Sequence, residues 1–274
     1  MNVYPPVDLA LARQLERAEA SANAAFVDAR ALVSPESGAT WIAVAGVRAM
    51  FDGVGSPLTQ TFGLGLFSAF LEAEFEAVEA FFSERGSSTF HEVSSFTPQR
   101  TADLLLARGY ARVEDSVVLV RPVALATAPA PDAISVRHLA RSDRGQWARV
   151  SALGWASEDE ALAAFIESFG QIAARAEGVE CFLAESNGEA IGAASLNVSP
   201  GVALLAGAST IPAARRRGAQ QALLNARLAF AAAAGLHLAM VVTQPESGSM
   251  RNAERQGFHA AYTRTKWERR LRNA

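Results

Sequence analysis

The sequence predicts a mixed α/β protein made of two tandem domains, on three observations. The chain has 274 residues and half of them are apolar, which is enough to build two cores of ordinary size. Residues 123–132 are rich in Ala and Pro and show neither a helical nor a strand period. Strand-like and helix-like segments alternate on both sides of that stretch. We therefore predict a domain over residues 1–122, a linker over 123–132 and a second domain over 133–274.

Hydrophobic periodicity predicts the elements of the second domain. Strands are predicted over residues 134–138, 180–185, 190–198, 202–210, 236–242 and 259–270, and helices over 141–153, 158–176, 217–234 and 249–256. Asn187-Gly188 is typical of a tight hairpin turn. Gly235 and Gly257 each follow a predicted helix, as glycine often does at a helix C-terminus.

The first domain repeats the last part of this order. Strands are predicted over residues 56–62, 88–96 and 112–121, and helices over 67–85 and 101–108. Gly86 and Gly109 end these helices in nearly the same register as Gly235 and Gly257. An aromatic residue follows the second glycine in both halves. The repetition indicates an internal duplication, and the alternative is a chance coincidence of helix-ending glycines.

Composition excludes several classes of protein. The net charge of −3 and the pI near 5.9 argue against a nucleic-acid partner. The single cysteine, Cys181, excludes an internal disulfide and fits a reducing compartment. No apolar run reaches the roughly 18 residues that a membrane helix needs, and residues 1–6 do not resemble a signal peptide. We therefore expect a cytoplasmic protein without a membrane or nucleic-acid partner.

One segment, residues 208–224, carries a chemical signal: a strand ends, a short turn follows, and a long helix begins at Gly218. The first backbone N–H groups of a helix have no internal partners, and the helix dipole favours an anion there. Arg215, Arg216 and Arg217 stand at this positive helix end, where cations are unfavourable unless an anion binds. We interpret the segment as a pyrophosphate site, and the alternative is a solvated basic turn.

Pro212, Arg215 and Gly218 resemble the Pro-x-x-Arg-x-x-Gly-x-[Gly/Ala] pyrophosphate loop of the GCN5-related N-acetyltransferase (GNAT) family. Gln220 departs from the small residue of that pattern. Gly257-Phe258 looks like the Gly-Phe of the family's Tyr-x-x-x-Gly-Phe segment. The first domain resembles a degraded copy, because its turn over residues 61–67 is apolar and lacks arginine.

The resemblance implies two GNAT-like domains, of which the second uses acetyl-CoA as co-substrate and needs no metal. Acetyl-CoA would lie between the strands ending at Thr210 and Val242, and a primary amine of a small-molecule or peptide acceptor would attack the thioester directly. The implied cofactor-binding residues are Ala208, Ser209, Thr210, Arg215, Arg216, Arg217, Gly218, Ala219, Gln220, Gln221, Ser249 and Asn252. Ser249 and Asn252 have helix capping as their alternative role.

Catalytic residues are harder to assign. Ala253 stands where the family usually has a thiolate-protonating tyrosine, and the strand over residues 202–208 has no Glu, Asp or His. The remaining candidates are Tyr262, Asn252, Glu185, Glu189, Glu92 and His91. A catalytically idle acyl-CoA-binding sensor is therefore the alternative to an enzyme. The first domain could also serve only as a dimer interface, which leaves a monomer or a homodimer open.

Overall fold

The computed structural model describes residues 3–155 and 160–271, and the chain folds into two compact units. Of the described residues, the middle unit comprises 121–241 together with 3–4. The terminal unit comprises 5–120 and 242–271. This division differs from the predicted domains at the C-terminal end, because residues 242–271 fold with the N-terminal part of the chain.

The elements follow the chain in an alternating order. The terminal unit begins with α1 (Leu9–Val33), β1 (Thr40–Val44), β2 (Val47–Phe51), β3 (Gln60–Phe62), α2 (Glu72–Ser83), β4 (Thr89–Ser94), α3 (Gln99–Ala107) and β5 (Ala111–Pro122). The middle unit continues with β6 (Ser135–His138), α4 (Arg144–Leu153), α5 (Glu160–Ala173), β7 (Val179–Ser186), β8 (Glu189–Ser199), β9 (Val202–Thr210), α6 (Ala219–Ala233) and β10 (Leu238–Thr243). The chain closes with α7 (Gly248–Arg255) and β11 (His259–Arg269) in the terminal unit.

The sheet of the terminal unit has the strand order β1-β2-β3-β4-β11-β5. The C-terminal strand β11 lies between β4 and β5 and pairs antiparallel with both of them. Its Trp267 is buried in a core with Phe75, Phe82 and Tyr110. A strand that is paired on both edges has its backbone hydrogen bonds satisfied on both sides, which is why the C-terminal segment folds with this unit.

In the middle unit the strand order is β10-β9-β8-β7-β6. The strands β6 to β9 are antiparallel neighbours, whereas β9 and β10 are parallel. Helices α4 and α6 pack against β7, β8 and β9. The core between them contains buried Leu183, Leu196 and Leu223. The parallel pair is the feature that positions the candidate site.

The mixed α/β class predicted from the sequence is confirmed. The strand predicted over residues 202–210 is found with the same bounds, and the other elements of the second half differ mainly at their ends. The predicted helix over 158–176 is described from Glu160, because residues 156–159 lie outside the described part. In the first half α1, β1 and β2 were not predicted. In addition, the helix predicted over 67–85 begins only at Glu72.

Candidate functional site

β9 and β10 pair over only part of their length. The parallel register joins Val202–Leu204 to Leu238–Met240 and has no further members among the described residues. Both strands nevertheless continue, to Thr210 and Thr243. Beyond Leu204 the backbone of β9 therefore has N–H and C=O groups available on the side that faced β10. Such an edge can pair with an extended ligand in the way that it would pair with an added strand.

A β-bulge lies on β9 beside this opening. Ala193 is opposite Ser209 and Ser195 is opposite Ala206, so that two residues of β9, Gly207 and Ala208, face one residue of β8. Gly207 has φ 58°, which favours glycine. The bulge redirects the backbone N–H groups of this stretch, while Ser209 next to it remains buried.

A buried arginine lies behind the bulge. Arg227 of α6 is 5% exposed, and its Nη1 donates to the carbonyl oxygens of Ser195 at 3.1 Å and Ala206 at 3.5 Å. Its Nε donates to the carbonyl of Leu223. Burial lowers the pKa of Arg227 to about 10, so the guanidinium remains charged at neutral pH. Within the described residues no carboxylate pairs with it. The bulge is thus held by a fixed cation.

The N-terminus of α6 is open to an anion. Gly218 is the N-cap, with φ 93° and ψ 7°, and no side chain caps the helix. The first turn contains no acidic residue. The unpaired N–H groups and the dipole of such a helix end attract negative charge. Arg216 and Arg217 are exposed beside it, so the turn combines free donors with positive charge.

Several of the predicted cofactor-binding residues use their side chains for hydrogen bonds within the protein. Arg215 donates from Nη2 to the carbonyl of Gly154 at 2.8 Å and from Nε to that of Thr210 at 3.4 Å, which ties the turn to the end of α4. Ser209 is buried and its hydroxyl donates to the carbonyl of Ser151 at 3.1 Å. The side chains of Arg215 and Ser209 therefore fix the turn, and their backbone groups are what remain for a ligand.

Gln220, the residue that departs from the family pattern, has a clear partner. Its Nε2 donates to Oγ1 of Thr210 at 2.8 Å and so joins the end of β9 to the start of α6. Gln221 donates to Oδ1 of Asn225 and to the carbonyl of Ala128. Both side chains stabilise the turn, while the backbone of Ala219 and Gln220 lies in the first turn of the helix.

The requirement for glycine at position 218 has a second cause that the sequence did not reveal. A Cβ there would stand 2.6 Å from Cγ of Pro131. The predicted linker therefore packs on the turn, and Asn225 holds it by donating to the carbonyl of Ala128 at 2.9 Å. The sequence analysis identified this glycine only as part of a pyrophosphate loop. Its positive φ and the packing of Pro131 require glycine even without a phosphate.

Ser249 and Asn252 lie on α7, which belongs to the terminal unit, and both are exposed. The predicted capping role of Ser249 is wrong, because Ser247 is the N-cap and its Oγ accepts from the backbone N–H of Met250 at 3.0 Å. The side chain of Asn252 accepts a hydrogen bond from Arg255.

Tyr262 is a core residue. It is 5% exposed, and its hydroxyl donates to Oε1 of Glu16 at 2.9 Å. The same oxygen accepts from Nε of Arg264 at 2.6 Å. Burial, followed by the charge of Glu16, raises the pKa of Tyr262 well above its usual value. A tyrosine that is neutral, buried and already donating its proton is a poor general acid.

His91 is also a core residue. Its Nδ1 lies 2.6 Å from Oγ1 of Thr61 and its Nε2 lies 3.1 Å from the hydroxyl of Tyr110, which donates to Glu79. Burial lowers the pKa of His91 to about 3. The imidazole is therefore neutral and hydrogen-bonded through both ring nitrogens. These contacts give His91 a structural role in the core, which explains its presence without a catalytic role.

The remaining carboxylate candidates differ in their surroundings. Glu185 pairs with Arg137 at 2.9 Å at the edge of the middle unit. Glu189 is exposed at the hairpin turn. Glu92 lies largely buried in the terminal unit, 3.7 Å from Nζ of Lys266, and lines a cavity. No group of three or more His, Cys, Asp or Glu side chains suited to a metal ion occurs in the described part of the chain.

Residues 138–258 match the family described as Acetyltransferase (GNAT) family, which confirms the resemblance seen at Pro212, Arg215 and Gly218. The matched segment continues past Val241, so its last part folds with the terminal unit. No curated protein matches the sequence significantly. No helix among the described residues is both long and apolar enough to cross a membrane.

Several solved structures share the fold. A GCN5-related N-acetyltransferase from Kribbella flavida is 17% identical with a TM-score of 0.64, over 90% of this chain and 95% of that one. A tandem GNAT protein from the clavulanic acid biosynthesis pathway is 13% identical with a TM-score of 0.59, over 83% and 79%. A GCN5-related N-acetyltransferase from Sphaerobacter thermophilus is 16% identical with a TM-score of 0.54, over 74% and 68%. At these identities the likeness is one of fold.

Proposed function

Because the chain carries a GNAT acetyltransferase domain over residues 138–258, we propose that it is an N-acetyltransferase that moves an acetyl group from acetyl-CoA to a primary amine of a small-molecule or peptide acceptor. One observation carries this proposal. In the middle unit, β9 separates from β10 beside a β-bulge and leads directly to a helix N-terminus that no side chain caps.

The residues of the middle unit fit acetyl-CoA. The backbone of Ala208, Ser209 and Thr210 offers an unpaired strand edge to the amide-containing pantetheine arm. The N–H groups of Gly218, Ala219 and Gln220 suit the pyrophosphate, together with the charges of Arg216 and Arg217. The absence of an acidic residue from the first turn of α6 removes the repulsion that a phosphate would otherwise meet.

In the proposed reaction this chain contributes positioning and electrostatics. A backbone N–H at the bulge of Gly207 and Ala208 polarises the thioester carbonyl, and a neutral amine attacks it directly. The position of the family's tyrosine is Ala253, so the departing thiolate is protonated by water, which a thiol pKa near that of free cysteine, about 8.5, permits. General-acid help is typically worth about 10²–10⁴-fold, so we expect a slow but working enzyme.

The proposal is tested by two measurements on the full-length protein. Calorimetry with acetyl-CoA and with acetyl-pantetheine, which lacks the pyrophosphate, should show tight binding of the first and much weaker binding of the second. Thiol release should then rise above the hydrolytic background with at least one amine of a panel. Failure to bind acetyl-CoA would overturn the proposal. Tight binding without release by any amine would favour the alternative function, an idle acyl-CoA sensor.

We also propose that the two halves of the chain are tandem copies of one domain. The order β3, α2, β4, α3, β5 repeats the order β9, α6, β10, α7, β11. The first and third elements of each set are parallel partners, since β3 pairs parallel with β4 as β9 does with β10. The copies correspond to residues 1–122 and 133–274, joined by 123–132, and the first is the degraded one.

The proposed setting is the cytoplasm, where the free thiol of Cys181 stays reduced. Burial raises the pKa of this thiol to about 12, so it is not a nucleophile at neutral pH. A monomer or a homodimer fits the proposal equally, and sedimentation of the full-length chain distinguishes them.

A further inference from the structure

The sheet of the terminal unit ends in a strand that is paired on one side. This strand is β1 (Thr40–Val44), and β2 is its only neighbour among the residues that the structure describes. Backbone N–H and C=O groups on the outer side of such a strand can pair with another chain. The outer edge of β1 is therefore a candidate interaction surface.

The middle unit shows what can cover this place. There β7 begins an antiparallel run, β7-β8-β9, just as β1 begins the run β1-β2-β3. The third strand of each run pairs parallel with the next strand, β9 with β10 and β3 with β4. The outer side of β7 is covered by β6, which pairs with it antiparallel. Within the described part of the terminal unit no strand precedes α1, so β1 has no counterpart of β6.

The turn after β1 determines which of its backbone groups face outward. Ala45 and Gly46 both have positive φ, 49° and 82°, as in a two-residue type I′ turn, and Val44 is opposite Val47. The two residues that flank such a turn exchange both of their backbone hydrogen bonds, and this pattern alternates along the strand. Val44 and every second residue before it therefore bond to β2, and the residues between them face outward.

The two outward residues, Trp41 and Ala43, make the edge complementary to itself. When a second copy of β1 runs antiparallel with Ile42 opposite its own counterpart, Trp41 of each copy lies opposite Ala43 of the other. Each of these pairs exchanges two backbone hydrogen bonds. A large side chain then meets a small one, because Trp41 is half-buried and Ala43 is exposed. The pairing is thus possible without a steric clash between the two outward side chains.

No charge opposes this pairing within β1. The strand consists of Thr, Trp, Ile, Ala and Val, and it contains neither a charged residue nor proline. Charged residues and proline are the means by which proteins protect free strand edges. The edge strand of the middle unit, β6, contains Arg137, which pairs with Glu185 at 2.9 Å. One edge is therefore protected by charge, whereas β1 has no such protection.

Exposed apolar side chains of α1 extend the edge. Asp28 accepts a hydrogen bond from Nε1 of Trp41 at 2.9 Å, which places this part of α1 beside β1. Leu32 follows on the same face of the helix, four residues later, and is 83% exposed, and Val33 beside it is 45% exposed. A stable dimer buries about 800 Å² on each partner, which is more than the edge of a five-residue strand supplies. The end of α1 offers the additional apolar area.

We propose that β1 is the interface of a homodimer, in which β1 of one protomer pairs antiparallel with β1 of its partner about a two-fold axis at Ile42. Such an interface is isologous, because the same surface is used by both copies. The sheet of one terminal unit then continues into that of the partner. The inference goes beyond the proposed function and does not depend on it, because no step of acetyl transfer enters the argument.

Sedimentation velocity of the full-length protein over a concentration series measures the assembly. We expect a species of twice the chain mass of 29.0 kDa at micromolar concentration. Ala43→Lys places a charge on the free edge and should raise the dissociation constant of the dimer by about tenfold or more. The matched control is Val113→Lys, at an exposed apolar strand residue of the same unit, which should leave the mass unchanged. Circular dichroism shows whether both variants fold.

Cysteine cross-linking tests the register of the two strands. Residues opposite one another in a pair without hydrogen bonds have Cα atoms about 4.5 Å apart, which a disulfide can span. Ile42→Cys should therefore give a covalent dimer under mild oxidation. Ala43→Cys should not, because the two copies of this residue would be about 8 Å apart, beyond the reach of a disulfide. The natural Cys181 is buried in both variants.

The outcomes decide the proposal. The mass of one chain at every concentration overturns the dimer and leaves the edge to a strand of another protein. A dimer that Ala43→Lys does not weaken, or that Val113→Lys weakens equally, overturns pairing through β1. Cross-linking of Ala43→Cys as readily as Ile42→Cys overturns the register about Ile42. Calorimetry with acetyl-CoA tests the proposed function separately, so the failure of one is distinguished from the failure of the other.

Discussion

The two strand-to-helix turns of the molecule have the same place in the order of elements and opposite electrostatics. Between β9 and α6 the helix starts at Gly218 with no side-chain cap and no acidic residue in its first turn. Between β3 and α2 the first turn contains Glu72 and Glu74, and Oε2 of Glu74 accepts from the backbone N–H of Leu71 at 2.9 Å. The start of α6 has no acidic residue in its first turn, whereas the start of α2 already has the carboxylate of Glu74.

The turn of the terminal unit is also filled. Leu64 and Leu66 are buried, and Nε of Arg13 donates to the carbonyl of Leu66 at 2.6 Å. The Phe67 side chain also lies in this turn, and Arg17 stacks over its ring at 4.4 Å. The comparison teaches that a copy can lose a binding turn by packing its own side chains into it, with the order of elements intact.

The largest effect that we predict comes from making the open turn resemble the filled one. Arg216→Glu combined with Arg217→Glu places two carboxylates directly before the N-cap Gly218, next to a helix start that has none in its first turn. Both residues are exposed, so the fold should survive. Repulsion replaces attraction at the pyrophosphate. We expect the Kd for acetyl-CoA to rise about 100-fold, or about 2.7 kcal/mol, as measured by calorimetry.

The matched control for this change lies in the terminal unit. Arg100 is exposed in the first turn of α3, and Arg100→Glu should leave the Kd for acetyl-CoA unchanged. An unchanged Kd in the double variant would contradict the assignment of the turn after β9. An equal loss in Arg100→Glu would mean that net charge, rather than this turn, controls binding.

Acid should destabilise the terminal unit through His91. Its pKa is about 3 in the folded protein because burial disfavours the charged ring, with the charge of Glu79 opposing this, whereas the unfolded value is about 6.5. As the pH falls below about 6.5, the unfolded state binds a proton that the folded state does not. Linkage then predicts a loss of about 2 kcal/mol between pH 8 and pH 5.

This loss of stability is measured by urea unfolding at pH 8 and at pH 5. In His91→Gln the decrease in stability between pH 8 and pH 5 should be smaller by this amount, even if the variant is less stable throughout. His237→Gln, at an exposed histidine of the middle unit, should keep the full decrease. The same pH dependence in wild type and His91→Gln would show that the ring is not neutral in the folded protein.

A smaller effect is expected at Arg227, which holds the bulge in the middle unit. Arg227→Met keeps a long side chain and removes the donors to the carbonyls of Ser195 and Ala206. We expect kcat to fall about tenfold, near 1.4 kcal/mol, while the Kd for acetyl-CoA changes little, because the bulge orients the reacting carbonyl and the pyrophosphate binds elsewhere. Arg227→Lys should recover part of kcat. A change confined to Kd would contradict this division of roles.

Much of the fold could be predicted because local signals are strong where strands are short and turns are sharp. Asn187-Gly188 and the strand over 202–210 lie where periodicity and turn chemistry predict. The insertion of β11 between β4 and β5 could not be predicted, because strand pairing over such a distance leaves no local pattern. α1 was not predicted because half of its buried residues are alanines, and alanine contributes little to the hydrophobic periodicity of a helix.

For the candidate site, the sequence predicted backbone features better than side-chain roles. Gly218 was recognised because a glycine at a helix start, after Pro212 and Arg215, matches the pyrophosphate-loop pattern. The bond from Arg215 to Gly154 spans a contact distant in sequence, and so does the packing of Pro131 on Gly218. Neither of these two contacts produces a recognisable motif in the sequence.

The smallest expected effect tests whether filling, rather than charge, closed the turn of the terminal unit. Glu72→Gln with Glu74→Gln removes both carboxylates from the first turn of α2. It costs the bond from Leu71 to Glu74 and weakens the contact of Glu72 with Arg108, about 1–2 kcal/mol together. Leu64 and Phe67 still occupy the turn, and no arginine is gained. Calorimetric titration should therefore still give one acetyl-CoA per chain. A stoichiometry of two would show that the carboxylates alone excluded the phosphate, and that the degraded copy keeps the shape of a binding turn.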